Sequence, residues 1–311
     1  MKKIITNEVH GEGYLYEYKL EERHSDKNDT DFISGKVSLA TNEECSNVVD
    51  FHFIYVTPKY SKSGKDNPNY KLLKTIIDSG ETKTVMGAGK ENALKLKIDG
   101  KINVNDFVSK DNPDEIISQV RNEVSFINVT PNFTPDNAKR SYFKTDMIIT
   151  GAFRKDADEE KNVKEHLVIS GAALNDYTKA LIPVKYNVYN PDAIAYFESL
   201  EPSTSTPVFT KVWGTIANQE FVSKIETKSA FGADLVEERT TTRKEYVITG
   251  ALSEIYEWDS EEGILASELR ELMSNRELHL AEVKKNYEEY QKTKNSETSV
   301  PEVKAADDFK F

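Results

Sequence analysis

Cysteine is almost absent from this 311-residue chain, in which Cys45 is the only one. A single cysteine excludes an internal disulfide framework and a metal site built from cysteines. Cysteine usage of this kind suits a reducing compartment, so we expect a cytoplasmic protein.

Long apolar stretches are missing too. Residues 1–13, "MKKIITNEVHGEG", have no apolar run long enough for a signal peptide. No other stretch approaches the roughly 20 consecutive apolar residues of a membrane span. The sequence therefore predicts a protein that makes no contact with a membrane.

Recognisable catalytic motifs are also lacking. The segment "GAGKENAL" (residues 87–94) has a Gly-Lys pair but neither the spacing nor the hydroxyl of a phosphate-binding loop. The five histidines are scattered, with no His-Glu-x-x-His motif. Cys45 stands in the acidic segment "NEECSN", which disfavours a reactive thiolate. We predict that the chain is not an enzyme and needs neither a cofactor nor a metal.

Charge is distributed unevenly along the chain. The net charge is −12, and residues 254–311 hold 15 acidic and 8 basic residues, a net of −7. The first 253 residues are therefore only mildly acidic and are rich in lysine. An acidic sum argues against a protein that coats nucleic acid through bulk charge, but it allows local basic surfaces.

One segment occurs twice. Residues 97–110, "KIDGKINVNDFVSK", align without gaps on residues 211–224, "KVWGTIANQEFVSK". Two more matches follow in the same order, pairing residues 32–43 with 168–176 and residues 144–153 with 243–252. We interpret the chain as one domain written twice. The alternative is that β-rich sequences reuse such strings.

Each copy shows strands around one helix. Alternating and β-branched segments predict two or three strands, then a helix, then two more strands. Gly35, Gly100, Gly171 and Gly214 interrupt strands, as glycines do at bulges and barrel corners. We predict a mainly β protein with a minor α part: two tandem OB-like five-stranded barrels, a C-terminal helix and a disordered acidic tail. The predicted divisions are an N-terminal extension (1–31), the first OB-like domain (32–153), a linker (154–164), the second OB-like domain (165–255), a helical segment (256–294) and the tail (295–311).

The helical segment has a partial apolar stripe, formed by Ile264, Leu265, Leu269, Leu272, Leu280 and Val283. It predicts a helix packed on the second barrel. Self-association or docking of a partner is the alternative.

The C-terminus "DDFKF" completes a pattern of two barrels, a linker and an acidic tip that ends in an aromatic residue. In this the chain resembles phage-type single-stranded DNA-binding proteins. In bacterial members of that group, the tip recruits replication and repair enzymes. This chain departs from them in the lysine before its last residue and in having fewer acidic residues. These departures put in doubt which partner the tip would recruit.

The resemblance implies a protein in the cytoplasm of a bacterial host that coats and protects single-stranded DNA during phage DNA replication or recombination. The acidic C-terminal tail would bind partners through Asp307, Asp308, Phe309 and Phe311. Two alternatives remain open: a bacteriophage virion or assembly β-protein without nucleic-acid binding, and an RNA-binding or recombination accessory OB protein.

Single-strand binding needs positive charge and aromatic faces on which bases stack. If Val212 faces the core, Lys211 and Trp213 face outward, and the matching face of the first copy holds Lys97 and Lys101. The alternative is that Trp213 is a core residue. Further candidates are basic and aromatic residues of loops and strand ends: Lys59, Tyr60, Lys62, Tyr70, Arg140, Lys144, Lys185, Tyr189, Arg243 and Lys244. Lys144 and Arg243 are predicted to occupy equivalent places in the two copies.

Overall fold

The computed structural model describes residues 5–158, 163–175, 179–231, 235–260 and 263–297. The predicted binding residues of the tail, from Asp307 to Phe311, lie outside these residues. The strands are β1 (Asn7–Ser25), β2 (Thr30–Ala40), β3 (Val48–Val56), β4 (Lys95–Val108), β5 (Ile116–Val129), β6 (Ser141–Lys155), β7 (His166–Asn175), β8 (Ala180–Val188), β9 (Val208–Thr227) and β10 (Leu235–Ala251). The α-helices are α1 (Pro68–Ser79), α2 (Val85–Ala88), α3 (Pro191–Ser199) and α4 (Ala266–Glu297), and short 3₁₀ turns lie at Gly80–Lys83 and Asn137–Lys139.

The ten strands form two groups of five with the same connectivity. In the first group, β1 pairs with β2, β2 with β3, β3 in parallel with β5, β5 with β4, and β4 with β1, which closes a barrel. In the second group, β6 to β10 pair in the same order, with β8 parallel to β10 and β9 returning to β6. One helix follows the third strand of each group. This is the OB topology, and it confirms the predicted mainly β fold with two five-stranded barrels and a C-terminal helix.

Both helices that follow a third strand begin in the same way. Asn67 precedes Pro68, and its side chain accepts a hydrogen bond from the amide of Asn69. Asn190 precedes Pro191 and caps the amides of the next turn. An Asn cap before Pro suits a helix start for two reasons. The Asn side chain accepts hydrogen bonds from free backbone amides of the first turn, and proline at the first helical position has no amide hydrogen that needs a partner.

The matched glycines lie where neighbouring strands approach closely. A Cβ atom on Gly35 or Gly171 would lie 2.0 Å from a carbonyl oxygen of the adjacent strand. On Gly100 and Gly214 it would lie 2.1 and 1.9 Å from such an oxygen. The strand register shifts beside each of the four. The prediction that these glycines mark bulges is confirmed, and two of the three sequence matches hold equivalent places.

The third sequence match is wrong. Residues 144–153 belong to β6, the first strand of the second barrel, whereas residues 243–252 fall on β10, its last strand. Both segments carry the string I-T-G-A, which suits a half-buried strand wherever it occurs. Lys144 and Arg243 are therefore not equivalent.

The barrel limits differ from the predicted divisions. The first barrel begins at β1, inside the predicted N-terminal extension, and ends with β5 at Val129. The second runs from Ser141 in β6 to Ala251 in β10, so part of the predicted linker is strand. From Tyr16 to Ser25, β1 is mostly polar and partly or fully exposed, which hides its strand character in the sequence.

The two barrels share one sheet and one core. Residues 7–11 of β1 pair antiparallel with residues 141–145 of β6, so Val9 lies opposite Phe143. Val9 also pairs with Gly100, and Phe143 pairs with Gly214. A single cluster of buried apolar side chains extends through both barrels. The joined strands thus place matched positions of the two copies side by side.

Helix α4 packs on the second barrel, as expected. Leu272, together with Ile264 just before the helix, forms a small core with Phe209, Ile148 and Leu174. The helix also reaches the first barrel, where the Arg276 guanidinium binds the carboxylate of Asp106 in β4. Lys284 lies 3.2 Å from Asp114 in the β4–β5 connection. The helix therefore contacts both barrels, which its sequence did not reveal.

Candidate nucleic-acid interface

Four strands present a continuous outer surface across the junction of the barrels. In the strand ladder, His10 of β1 lies opposite Asp99 of β4 and Tyr142 of β6. Lys144 of β6 lies opposite Trp213 of β9. We call this outer surface of β4, β1, β6 and β9 the seam face. It carries five of the predicted DNA-binding residues: Lys97, Lys101, Lys144, Lys211 and Trp213.

Trp213 faces outward. Its side chain is 38% exposed, whereas Val212 and Ile216 of the same strand are buried. The indole lies over Gly250 of β10, where an added Cβ would be 2.4 Å from Nε1. The predicted strand orientation is therefore the one that the structure has, and Trp213 is not a core residue.

Tyr142 provides a second exposed ring on the seam face. It is 37% exposed and stacks on the His10 imidazole with ring centroids 4.9 Å apart. His10 is itself held between two carboxylates, at 2.6 Å from Asp99 and 3.2 Å from Glu12. Lys144 lies directly opposite Trp213, and Tyr142 lies opposite Thr215, two residues further along β9 on the same face. Tyr142 is not among the residues that the sequence analysis selected for binding.

Three predicted lysines of the seam face have carboxylate partners. Lys97 lies 3.7 Å from Glu12, Lys101 lies 3.5 Å from Glu123, and Lys211 lies 3.7 Å from Asp146. The Asp146 side chain is fully buried. Lys211 therefore helps to neutralise a buried charge, and the seam face is less basic than its lysines suggest.

The predicted loop between β3 and α1 lies apart from the seam face. Lys59, Tyr60 and Lys62 are exposed there. Tyr70 belongs to α1 instead, where it is half-buried against the core. Lys59, Tyr60 and Lys62 therefore remain candidates for DNA binding, whereas Tyr70 packs against the core.

Arg140 is buried and its donors are used within the protein. Its Nε donates to the Thr134 carbonyl at 2.6 Å, and one terminal nitrogen lies 2.9 Å from Glu43. Hydrogen bonds from Lys90 and Arg140 hold the pKa of Glu43 at about 2. This arrangement favours a structural role for Arg140.

The candidates on β8, β10 and the connection after β8 fall into two kinds. Lys185 is exposed on β8. The Tyr189 hydroxyl donates to Glu245 at 3.0 Å, and burial together with that carboxylate raises the pKa of Tyr189 to about 12. Arg243 lies 2.6 Å from the same carboxylate. Tyr189 and Arg243 are thus tied to Glu245, while Lys185 projects outward.

Lys244 leads to basic residues that the sequence analysis missed. It binds Asp50 of β3 across the barrel junction, where Asp50 also accepts from Ser38 at 2.7 Å and from Lys36 at 3.2 Å. Burial raises the pKa of Asp50, but the hydrogen bonds from Lys244 and Ser38 outweigh it and hold the value at about 2. His52 and Arg121 line the same junction. In the sequence, only their outward positions on β2 and β3 could have marked Lys36 and His52 as candidates. The junction itself forms between strands that are distant in sequence.

A bulge changes the direction of Tyr55. Regular strand alternation would place it on the face of Phe51 and Phe53, both of which are buried. The register between β2 and β3 shifts between Ile33 and Gly35. Tyr55 is consequently 44% exposed, and its ring packs at 4.5 Å on Phe32. This pair forms a second aromatic surface, on the outer side of the first barrel.

Among the helices that the structure describes, none has the length and apolar character needed to cross a membrane.

Comparison with known proteins gives a family and distant structural likenesses. No curated protein sequence matches the chain. Among solved structures, it is similar to a deletion mutant of the single-stranded DNA-binding protein from Thermus aquaticus, with a TM-score of 0.45 and 10% identity over 81% of this chain and 95% of that one. At that score the likeness supports neither a fold nor a function. A family model described as YorF matches residues 6–297. The chain belongs to the YorF family.

Proposed function

We propose that this protein binds single-stranded DNA along the seam face. The observation that carries the proposal is the placement of Trp213 and Tyr142, both more than a third exposed, beside Lys144. Base stacking on an aromatic side chain contributes roughly 1–3 kcal/mol per base and tolerates any sequence. Two rings with a lysine beside them therefore suit a strand whose bases are free to stack.

The continuity of the seam face adds a second support. The paired strands β1 and β6 carry it from one barrel to the other without a gap in the ladder. A strand of DNA could follow it over both barrels. OB barrels commonly bind oligonucleotides on the face of their second and third strands. In the first barrel that face holds Phe32 and Tyr55, so it is the competing location.

The cellular role that we propose is to coat and protect single-stranded DNA during phage replication or recombination. We also propose that the tip with Asp307, Asp308, Phe309 and Phe311 recruits partner proteins. Both rest on the resemblance to phage-type single-stranded DNA-binding proteins.

The test is oligonucleotide affinity, measured by fluorescence anisotropy with labelled oligo-dT. Trp213→Ala should weaken binding by about one to two decades, which corresponds to the roughly 1–3 kcal/mol of one stacked base. Its melting temperature should stay close to that of the wild type, because the removed ring does not fill the core. Tyr290→Ala is the control: Tyr290 is an aromatic residue of α4, is 63% exposed and belongs to none of the four strands of the seam face.

A second variant decides between the two locations. Tyr55→Ala should leave affinity within about twofold if DNA follows the seam face. A loss in Tyr55→Ala with none in Trp213→Ala would move the site to the outer face of the first barrel. If the wild type binds neither oligo-dT nor oligo-U, the proposal is wrong, and copurification with virions would favour an assembly protein.

A further inference from the structure

A cleft separates the barrels on the side where β3 and β5 meet β9 and β10. It consists of a wide recess of about 630 Å³ and a small one of about 90 Å³. Asp50, Asn218 and Lys244 line both recesses, so the two form one cleft. The cleft is distinct from the seam face, which lies on β4, β1, β6 and β9.

The small recess holds two buried polar atoms that lack a partner among the residues that the structure describes. One is the Nε donor of Arg121 and the other is the Oδ1 acceptor of Asn218. Buried polar groups in folded proteins nearly always have hydrogen-bond partners, so two unpaired atoms in one recess call for an explanation. Together they offer one donor and one acceptor to whatever occupies the recess.

The cleft brings three cationic side chains together. Lys36, Arg121 and Lys244 line it with the carboxylates of Glu17, Asp50 and Glu245, so the formal charges of the lining balance. Asp50 is bound by Lys36 and Lys244, and Glu245 lies 2.6 Å from Arg243, which stands outside the lining. The Arg121 guanidinium is thus the cation of the cleft that is placed to receive an anion.

His52 adds a neutral ring to this cleft. Burial lowers its pKa, and the nearby Arg121, Lys244 and Lys36 lower it further, against the opposite effect of Asp50. At neutral pH the imidazole can therefore donate one hydrogen bond and accept another.

We propose that the cleft binds a phosphate group, with Arg121 and Lys244 as its cationic contacts. A guanidinium presents a planar fork of donors that matches phosphate oxygens, and its unpaired Nε is available for this. The Asn218 oxygen would accept from a protonated phosphate oxygen or from a hydroxyl or N–H group next to the phosphate. The phosphate belongs either to a nucleic-acid backbone or to a free phosphate compound.

A bridging water is the competing occupant. One water molecule could accept from Arg121 and donate to Asn218, and buried waters commonly fill such roles. Water would leave the cleft indifferent to phosphate. It would also make Arg121 a purely structural residue whose loss lowers stability.

The test uses a reporter that the chain already contains. Cys45, its single cysteine, lines the wide recess, so a fluorinated tag on it gives a local NMR signal. Inorganic phosphate, thymidine 5′-monophosphate and oligo-dT are titrated against chloride at matched ionic strength. The wild type should respond to phosphate, and Arg121→Gln should weaken that response at least tenfold. Lys110→Gln, which removes an exposed lysine of the β4–β5 connection outside the cleft, is the control and should respond like the wild type.

Stability in phosphate-free buffer separates a ligand site from a structural residue. Arg121→Gln should melt at the wild-type temperature or above it, since it removes an unpaired buried donor. A wild type that ignores phosphate, or an Arg121→Gln variant that is less stable but responds normally, would overturn the proposal.

The oligonucleotide arm identifies the source of the phosphate. If Arg121→Gln weakens oligo-dT as well as phosphate, the cleft holds a DNA phosphate. If it weakens phosphate alone, the ligand is a free phosphate compound. Oligo-dT binding that depends on Trp213 while phosphate has no effect would leave the proposed function standing and this inference refuted.

Discussion

Removing the Arg276 side chain should separate α4 from the first barrel. The Asp106 carboxylate is fully buried and accepts from Arg276 at 2.5 and 2.6 Å. It also accepts from the Ser118 hydroxyl at 2.6 Å, and His279 lies 3.2 Å away. In Arg276→Ala the carboxylate stays buried with only these two weaker partners.

The expected loss of stability follows from the cost of leaving one member of a buried ion pair without its partner. Removing a partner from such a pair destabilises proteins by about 3–5 kcal/mol. The remaining Ser118 and His279 contacts place this site at the lower end, so we expect a loss of about 3 kcal/mol in the free energy of unfolding. That loss reduces the ratio of folded to unfolded protein by about two decades.

Urea denaturation followed by circular dichroism measures this loss. Arg270→Ala is the control, since Arg270 is an exposed arginine on the same helix, and it should change stability by less than about 0.5 kcal/mol. A double-mutant cycle with Asp106→Asn should give strong coupling. If Arg276→Ala and Asp106→Asn are additive, or if Arg276→Ala matches the control, α4 is not held by this ion pair.

Four further outcomes are expected. The pKa of Asp50 is held at about 2, below its unfolded value of about 3.9. Its stabilising contribution is therefore complete above about pH 4 and is lost as pH falls toward 2. Acid denaturation of the wild type and of Lys244→Gln should show their difference in unfolding free energy shrink over that window. A chain ended after Ser260 loses α4 and should melt at a lower temperature, whereas one ended after Glu297 keeps α4 and should bind oligo-dT within about twofold of the wild type. Oligo-dT affinity should fall with salt at a log–log slope of about −0.7 per phosphate contact, and a slope near zero would count against a basic groove. Gly214→Ala should destabilise the second barrel, because the added Cβ would lie 1.9 Å from the Val247 carbonyl oxygen; an unchanged melting temperature would contradict that close approach.

The fold could be predicted wherever a local signal marked a structural requirement. The Asn–Pro pairs at the starts of α1 and α3 and the glycines at close strand contacts are such signals, and the glycines mark two pairs of equivalent strands. Strand β1 carries no such mark. The I-T-G-A string of β6 and β10 suggested an equivalence that strand pairing does not support, because a short apolar string fits many strands.

The candidate site was less predictable, since charge partners are distant in sequence. Alternation correctly placed Lys97, Lys101 and Lys211 on an outer face. It could not show that Glu12, Glu123 and Asp146 lie beside them, because strand pairing brings these residues together. The same holds for Arg121 and Lys244, which reach one cleft from different barrels.

The opposition of Val9 and Phe143 has a consequence for how a strand of DNA would bind. These residues hold matched places in the two copies and face each other in an antiparallel ladder, so the barrels are related by a local two-fold rotation. A DNA strand has a direction, from 5′ to 3′. On the seam face it would run one way over the first barrel and the opposite way over the second. Identical side chains could not bind it equally in both, and the copies do differ at this point: Asp99 stands where the second copy has Trp213.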